Sequence, residues 1–305
     1  MKNFKYIIDT LSQNKIQYNI NELLSAHTSI KIGGNAKIFI NIKTEKELIF
    51  AVNLLSQNKA KFHILGNGTN TIASDAGFDG AVICTKKLKR YKVSIKNNYG
   101  SIYVQSGMGL FEFNKLLRRF GLEGLEFSFG IPGTVGGAVC MNAGAYNQNI
   151  GDFVEYVKVL FNGQVKKISK CDMQFAYRQS IVQKNDIQVL GAKFNLKIGN
   201  TKQIENLQNS YFQKRLESQP YSDLSFGSVF KRNLNFEPIS KLIDDLGLKG
   251  YRIGDAEISK KHAGFIVNVG SATCQDCLLL IKYIQQKIYK HYGFVPEPEV
   301  KFLGE

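Results

Sequence analysis

Between residues 121 and 151 the chain carries Gly121, Gly124, Gly130, Gly133, Gly136, Gly137, Gly144 and Gly151, more than a quarter of its 28 glycines in a tenth of its 305 residues. A stretch this long without regular structure of its own is functional or disordered. Disorder does not fit, because Leu125, Phe127, Phe129, Ile131, Val135, Val139 and Met141 are interleaved with the glycines and gain by burial. A buried, glycine-rich, apolar segment is what a backbone needs to approach a large flat ligand and its phosphates closely.

The rest of the chain supplies a scaffold for such a segment. Hydrophobic residues make up 44% of it, enough for a sizeable core and too many for a disordered protein. At roughly 150 residues per domain, about two domains are expected. The five cysteines, at 84, 140, 171, 274 and 277, are too scattered for a disulfide framework. The start, MKNFKYIIDTLSQNK, shows no signal-peptide pattern, and no 18-residue apolar run occurs. A cytoplasmic protein is therefore expected. The net charge of +15 attracts anions in general. Its densest run, Lys86, Lys87, Lys89, Arg90 and Lys92, has no aromatic interleaving or zinc spacing beside it, and reads as a solvated loop.

Helix and strand signals place the motifs. Thr44 and Glu47 form a capping box before Leu48, Ala51, Val52 and Leu55 at helical spacing. A short strand, Phe62 to Leu65, runs into Gly66-Asn67-Gly68-Thr69-Asn70; further strands are expected at 81–84 and around Ile102 and Val104. Leu110, Phe113, Leu117 and Phe120 mark a helix stopped by Gly121. Later helices are expected from Gln203 to Gln219, from Lys241 to Leu248, and from Thr273, capped with Asp276, to Gly293. A linker is placed near residues 199–202, and no internal repeat is visible.

Taken singly, the candidate sites are ambiguous. Residues 66–70 resemble a phosphate-binding nest but lack the third glycine of a dinucleotide fingerprint and the lysine of a P-loop. Cys274 and Cys277 form a CxxC with no second pair near, so zinc is not expected; they read as part of a helix's apolar stripe, with a mildly reactive thiol at the helix N-terminus as the alternative. No HExxH or GxSxG pattern occurs. Residues 175–180, 227–231 and 296–300 say nothing in isolation.

In order along the chain, HTSIKIGGNA (27–36), LGNGTNTIASDAGFDGAVI (65–83), GLEFSFGIPGTVGGAVCMNAGAY (124–146), FAYRQS (175–180), GSVFK (227–231), LIDDLGLKG (242–250), SKKHAGFIVN (259–268) and PEPEV (296–300) resemble one family, the UDP-N-acetylenolpyruvoylglucosamine reductases (MurB). The resemblance runs from about His27 to Glu305. The short stretch from Ser180 to Gly199, read as one or two strands, is similar to the compact branch of that family. Two departures stand out. The family usually has Pro shortly after GSVFK, where Lys231-Arg232-Asn233 stand here, and Gly is common where Asp255 stands.

The resemblance implies an α+β protein: a two-subdomain FAD-binding fold of the vanillyl-alcohol-oxidase (PCMH) kind, followed by a C-terminal α+β substrate domain. Divided accordingly, 1–83 and 84–200 are the FAD-binding subdomains and 201–305 the substrate domain with a catalytic tail. It implies FAD as cofactor, held by Gly66, Asn67, Gly68, Thr69, Asn70, Gly130, Ile131, Pro132, Gly133, Thr134, Gly136, Gly137, Asn142, Gly144 and Ala145. It implies hydride delivery from NADPH, by way of the flavin, to C3 of the enolpyruvyl group of UDP-N-acetylglucosamine-enolpyruvate. Arg178 and Glu299 would meet the charge that develops toward the carboxylate, and Ser228 would protonate C2, with Lys231 as the cation beside it. Tyr177, Lys231, Lys249 and His262 would line the substrate site. No metal, nucleic acid or membrane partner is expected, and the protein is expected to be a monomer. Two other readings stay open: an oxidase of hydroxy acids or sugars on the same architecture, and a nucleic-acid or anion-binding protein built on the positive charge.

Overall fold

The computed structural model describes residues 2–183, 187–233 and 235–304. Seven helices occur among them: α1 (Lys2–Gln13), α2 (Glu45–Gln57), α3 (Leu110–Arg119), α4 (Val135–Cys140), α5 (Thr201–Ser218), α6 (Ile239–Asp245) and α7 (Cys274–Tyr292). The mixture of helices with mainly antiparallel sheets makes the fold α+β. The chain divides into two compact units. One comprises Met1–Asn19, Ile38–Asn67 and Gly80–Lys214; the other comprises Ile20–Lys37, Gly68–Asp79 and Arg215–Glu305.

The first unit has two hydrophobic cores. One lies under α1 and α2, where Ile7, Leu11, Leu48, Ala51 and Leu55 meet Ile38, Ile40, Ala81 and Ile83. The strands there run in the order Gln17–Leu23, Asn35–Asn41, Phe78–Cys84, Phe62–Leu65. Thr44 caps α2 as its sequence predicts, accepting from Glu47 N at 3.2 Å. The Glu47 carboxylate, however, reaches one residue further back and takes Lys43 N at 2.8 Å.

The second core lies against a six-stranded sheet. Five of its strands run in the order Gln164–Ser169, Val154–Phe161, Ile187–Ile198, Tyr99–Gln105, Tyr91–Lys96, each antiparallel to its neighbour, and the sixth, Leu122–Glu123, pairs with Ile187–Ile198 off this path. Inward Ile102, Val104, Ala192, Phe194 and Val157 alternate with outward Tyr103, Lys193 and Tyr156, the period of a half-buried strand. Among the described residues between Ser180 and Gly199 there is one strand, Ile187–Ile198, and it is central. Both edges of the sheet carry lysines, Lys92 and Lys96 on one and Lys166 and Lys167 on the other. Charged edges resist pairing with a second sheet, so part of the basic run serves the fold. Lys89 in that run pairs with Glu112 at 2.6 Å.

In the second unit a sheet ordered Ser225–Ser228, Phe265–Asn268, Ala256–Ile258, Arg252–Ile253 packs against α6 and α7. A parallel pair, Lys301–Leu303 with Thr71–Ala73, lies beside it in the same unit. The capping box of α7 is present as read, with Asp276 N bonded to Thr273 Oγ1 at 3.0 Å and Thr273 N to Asp276 Oδ2 at 2.9 Å. Gly293 ends the helix in the left-handed conformation at φ 77°.

Candidate active site

Local chemistry explains each of the three places where the expected residues gather. In the first unit, the strand Phe62–Leu65 delivers Gly66 and Asn67 onto the glycine-rich segment. Asn67 Nδ2 donates to Pro132 O at 2.8 Å, and a Cβ on Gly66 would stand 2.6 Å from Thr134 Oγ1. The two glycine motifs thus meet, although 65 residues separate Asn67 from Pro132. Thr134 caps α4, accepting from Gly137 N.

Residues 106–109, which sequence reasoning missed, complete this corner. Gly136 N donates to Ser106 O, Val135 N to Met108 O, and Gly109 bridges Thr134. A signal existed: Ser106-Gly107-Met108-Gly109 directly follows the strand Tyr99–Gln105 and directly precedes α3.

The corner fits a nucleotide cofactor. Ser106 Oγ is buried with no partner among the described residues, and such a group calls for an explanation. A Cβ on Gly109 would meet nothing within 4 Å, and one on Gly137 would meet only Thr134 Oγ1 at 3.6 Å, so main chain borders open space at both. The main-chain N–H groups of Gly66 and Asn67 donate to no other described residue. Consecutive free amides of this kind form an anion-binding concavity.

Arg178 occupies a second place in the same unit. Ala176 and Gln179 exchange both main-chain hydrogen bonds at 3.1 Å, which leaves Tyr177 and Arg178 as the corner residues of a tight turn. Arg178 has φ 52°, a left-handed conformation that costs a non-glycine residue about 1–3 kcal/mol. Its guanidinium donates from Nη2 to Gly144 O at 3.0 Å and sits 5.0 Å from the Tyr177 ring centroid. Asn142 is spoken for by the protein: Nδ2 donates to Ala176 O and Oδ1 accepts from Gly151 N, both at 2.9 Å. Its side chain therefore holds the turn.

The third gathering is in the second unit. Gly227, at φ 83°, forms a bulge between the pairs Ser225–Val267 and Ser228–Phe265. A bulge re-aims the next side chain, and Ser228 stands exposed at the end of its strand. The following residues zip onto the PEPEV segment: Glu299 N donates to Val229 O at 2.7 Å and Lys231 N to Glu297 O at 2.9 Å. Asn70 Nδ2 donates to Glu299 O at 3.3 Å. Ser228, Glu299 and Asn70 are thus brought together from three distant stretches of sequence.

Several expected cations have protein partners. Lys231 Nζ is 2.5 Å from Glu297 Oε1, and Lys249 Nζ is 2.6 Å from Asp244 Oδ2. Lys231, expected as the cation beside Ser228, thus has an exposed carboxylate as its partner. His262 Nδ1 accepts from Gly264 N at 3.1 Å, and burial, with the Lys249 charge adding to it, pushes the imidazole below its ordinary range. The CxxC thiols are both free and buried. Asp75 takes the first-turn amides of α7, Cys274 N at 2.8 Å and Gln275 N at 3.1 Å. Burial foremost, together with neighbouring negative charge, pushes Cys274 up to about 11 and Cys277 up to about 12. Among the described residues no His, Cys, Asp and Glu cluster could hold a metal, and no helix is long and apolar enough to cross a membrane.

Comparison with known proteins follows this geometry. Residues 219–303 match the family described as UDP-N-acetylenolpyruvoylglucosamine reductase, C-terminal domain, and residues 36–169 match the family described as FAD binding domain. The UDP-N-acetylenolpyruvoylglucosamine reductase of Caldicellulosiruptor saccharolyticus is 40% identical over 97% of this chain and 94% of its own. That of Caldanaerobacter subterraneus is 42% identical over 94% and 93%. The chain belongs to the UDP-N-acetylenolpyruvoylglucosamine reductase family. A solved member from Thermus caldophilus superposes with a TM-score of 0.80 at 30% identity, covering 94% of this chain and 98% of its own. Within this family frame, the corner at residues 66–67, 106–109 and 130–137 lies inside the stretch matched to FAD binding, whereas Ser228 and Glu299 lie inside the C-terminal match.

Proposed function

We propose that this chain is a UDP-N-acetylenolpyruvoylglucosamine reductase, converting the enolpyruvyl sugar to UDP-N-acetylmuramate at the expense of NADPH. Bound FAD would supply the hydride carriage that no side chain can perform. The residues that would hold it are the amides of 66–70, the 130–137 segment with Gly144 and Ala145, and Ser106 through its orphaned hydroxyl.

The chain's own contribution is to charge and protons. Hydride arriving at C3 leaves an electron pair on C2 that spreads into the carboxylate as an enolate. Arg178 meets that charge as a fixed cation, and Glu299 shares the carboxylate by hydrogen bonding. Ser228 gives its hydroxyl proton to C2, so the C–H bond forms as the O–H bond breaks. A serine is a weak acid, and it serves because an enolate carbon is strongly basic. Tyr177, Lys249 and His262 are assigned to the nucleotide-sugar by the same family reading.

The observation that carries the proposal is the pairing of the Ser228 strand with the Glu299 segment, in which Glu299 N donates to Val229 O beside the Gly227 bulge. An oxidase has no use for a proton donor there. Rapid-mixing measurement of the two half-reactions tests it. Ser228→Ala should leave the NADPH-consuming half-reaction intact and slow the sugar-consuming one at least ~10²-fold. Equal loss in both would remove Ser228 from its role.

A further inference from the structure

The turn that carries Arg178 is clamped by a side chain to which the reaction gives no part. Gln183 Nε2 donates to Cys140 O at 2.9 Å and to Arg178 O at 3.0 Å. Both amide hydrogens are used in this way. Rotating the amide by half a turn would set Oε1 against two carbonyl oxygens, so the partners fix its orientation. Ser180 Oγ adds a bond to the same Cys140 O at 2.6 Å. Cys140 closes α4, and its carbonyl belongs to the last turn, where a helix leaves carbonyls without internal partners.

The bond to Arg178 O acts on conformation. Moving Arg178 out of the left-handed region rotates the peptide plane that follows it, so the carbonyl would swing away from a fixed donor. A donor held at that carbonyl therefore selects the φ of 52°. Because the same amide also grips α4, the selection is made relative to the helix whose opposite end is capped by Thr134 in the glycine-rich corner.

We propose that Gln183 is a positioning residue for Arg178, selecting its left-handed conformer and anchoring that conformer to the C-terminal end of α4. The inference rests on the reading of Arg178 given above and deepens it.

The test uses Gln183→Leu, which removes both donors, Gln183→Glu, which replaces them with acceptors at equal size, and Gln183→Lys, which keeps a donor. The two half-reactions are followed by rapid mixing in the FAD-loaded enzyme, and exchange of the Gln179 N–H, bonded to Ala176 O, in the cofactor-free protein. Gln183→Leu and Gln183→Glu should slow the sugar-consuming half-reaction ~10-fold, with kcat affected more than KM, and should speed Gln179 exchange. The NADPH-consuming half-reaction should stay within about twofold, and Gln183→Lys should recover most of the rate. Unchanged sugar turnover in both donor-free variants, or equal slowing of both half-reactions, overturns the proposal. If Gln183→Leu fails to fold, the contrast between the Glu and Lys variants decides the matter. Arg178→Ala separates the two readings: if it leaves the sugar half-reaction untouched, the role of Arg178 falls, whereas an effect there without one at Gln183 sinks only the clamp.

Discussion

At the scale of single residues, backbone strain falls on Arg178, the residue proposed to meet the developing charge. A glycine would sit at φ 52° without the Cβ penalty, yet the position carries a long cation. Arg178→Ala should slow the sugar-consuming half-reaction by ~10²–10³, the usual cost of removing a group that meets developing charge. Arg178→Gly should lose the same activity but unfold later than the alanine variant by about 1 kcal/mol in chemical denaturation. Equal stabilities would mean that the turn carries no strain. The sequence pointed to Arg178 and Ser228 only through family resemblance, since FAYRQS and GSVFK have no chemical signature of their own. The left-handed turn, the Gly227 bulge and the Lys231–Glu297 pair were not legible, because each depends on contacts from segments far away in the chain.

At the scale of elements, local rules worked where an element's ends are decided locally. Thr44, Thr273 with Asp276, and Gly293 all do what their types and spacing require. Long-range pairing was invisible. Nothing near residues 274–277 announces that Asp75, some 200 residues earlier, occupies the first turn of α7. That contact adds to burial in raising thiols that a bare helix N-terminus would have acidified. Asp75→Asn should lower the Cys274 pKa from about 11 and speed its alkylation, read as the pH dependence of iodoacetamide labelling. An unchanged profile would leave burial alone as the cause.

At the scale of the whole molecule, the glycine-rich corner makes cofactor and stability one question. Adding FAD to cofactor-free protein should raise the unfolding free energy, by about 2.7 kcal/mol at a hundredfold excess over Kd. Gly137→Val should fold, since its Cβ meets only Thr134 Oγ1 at 3.6 Å, but should lose most of that gain. A full response to FAD in that variant would place the cradle elsewhere. Acid should also weaken the fold. His262 is held below its ordinary pKa, chiefly by burial, and Gly264 N–H needs an unprotonated Nδ1. The unfolded chain therefore takes up a proton near pH 6.5 that the folded one refuses. Stability present above that pH should fall as pH drops below it, and His262→Gln should flatten this limb of the midpoint-against-pH curve. The glycine-rich anomaly and the order of motifs were legible at this scale, because a family pattern spanning nearly the whole chain is itself a global property.

The chain passes from one unit to the other five times, and Lys301–Leu303 pairs with Thr71–Ala73, made more than two hundred residues earlier. No single cut of the polypeptide can yield either unit whole. A ribosome must therefore have delivered nearly the entire message before the second unit can close, and a truncated product carries a gap where its partner strand should have arrived.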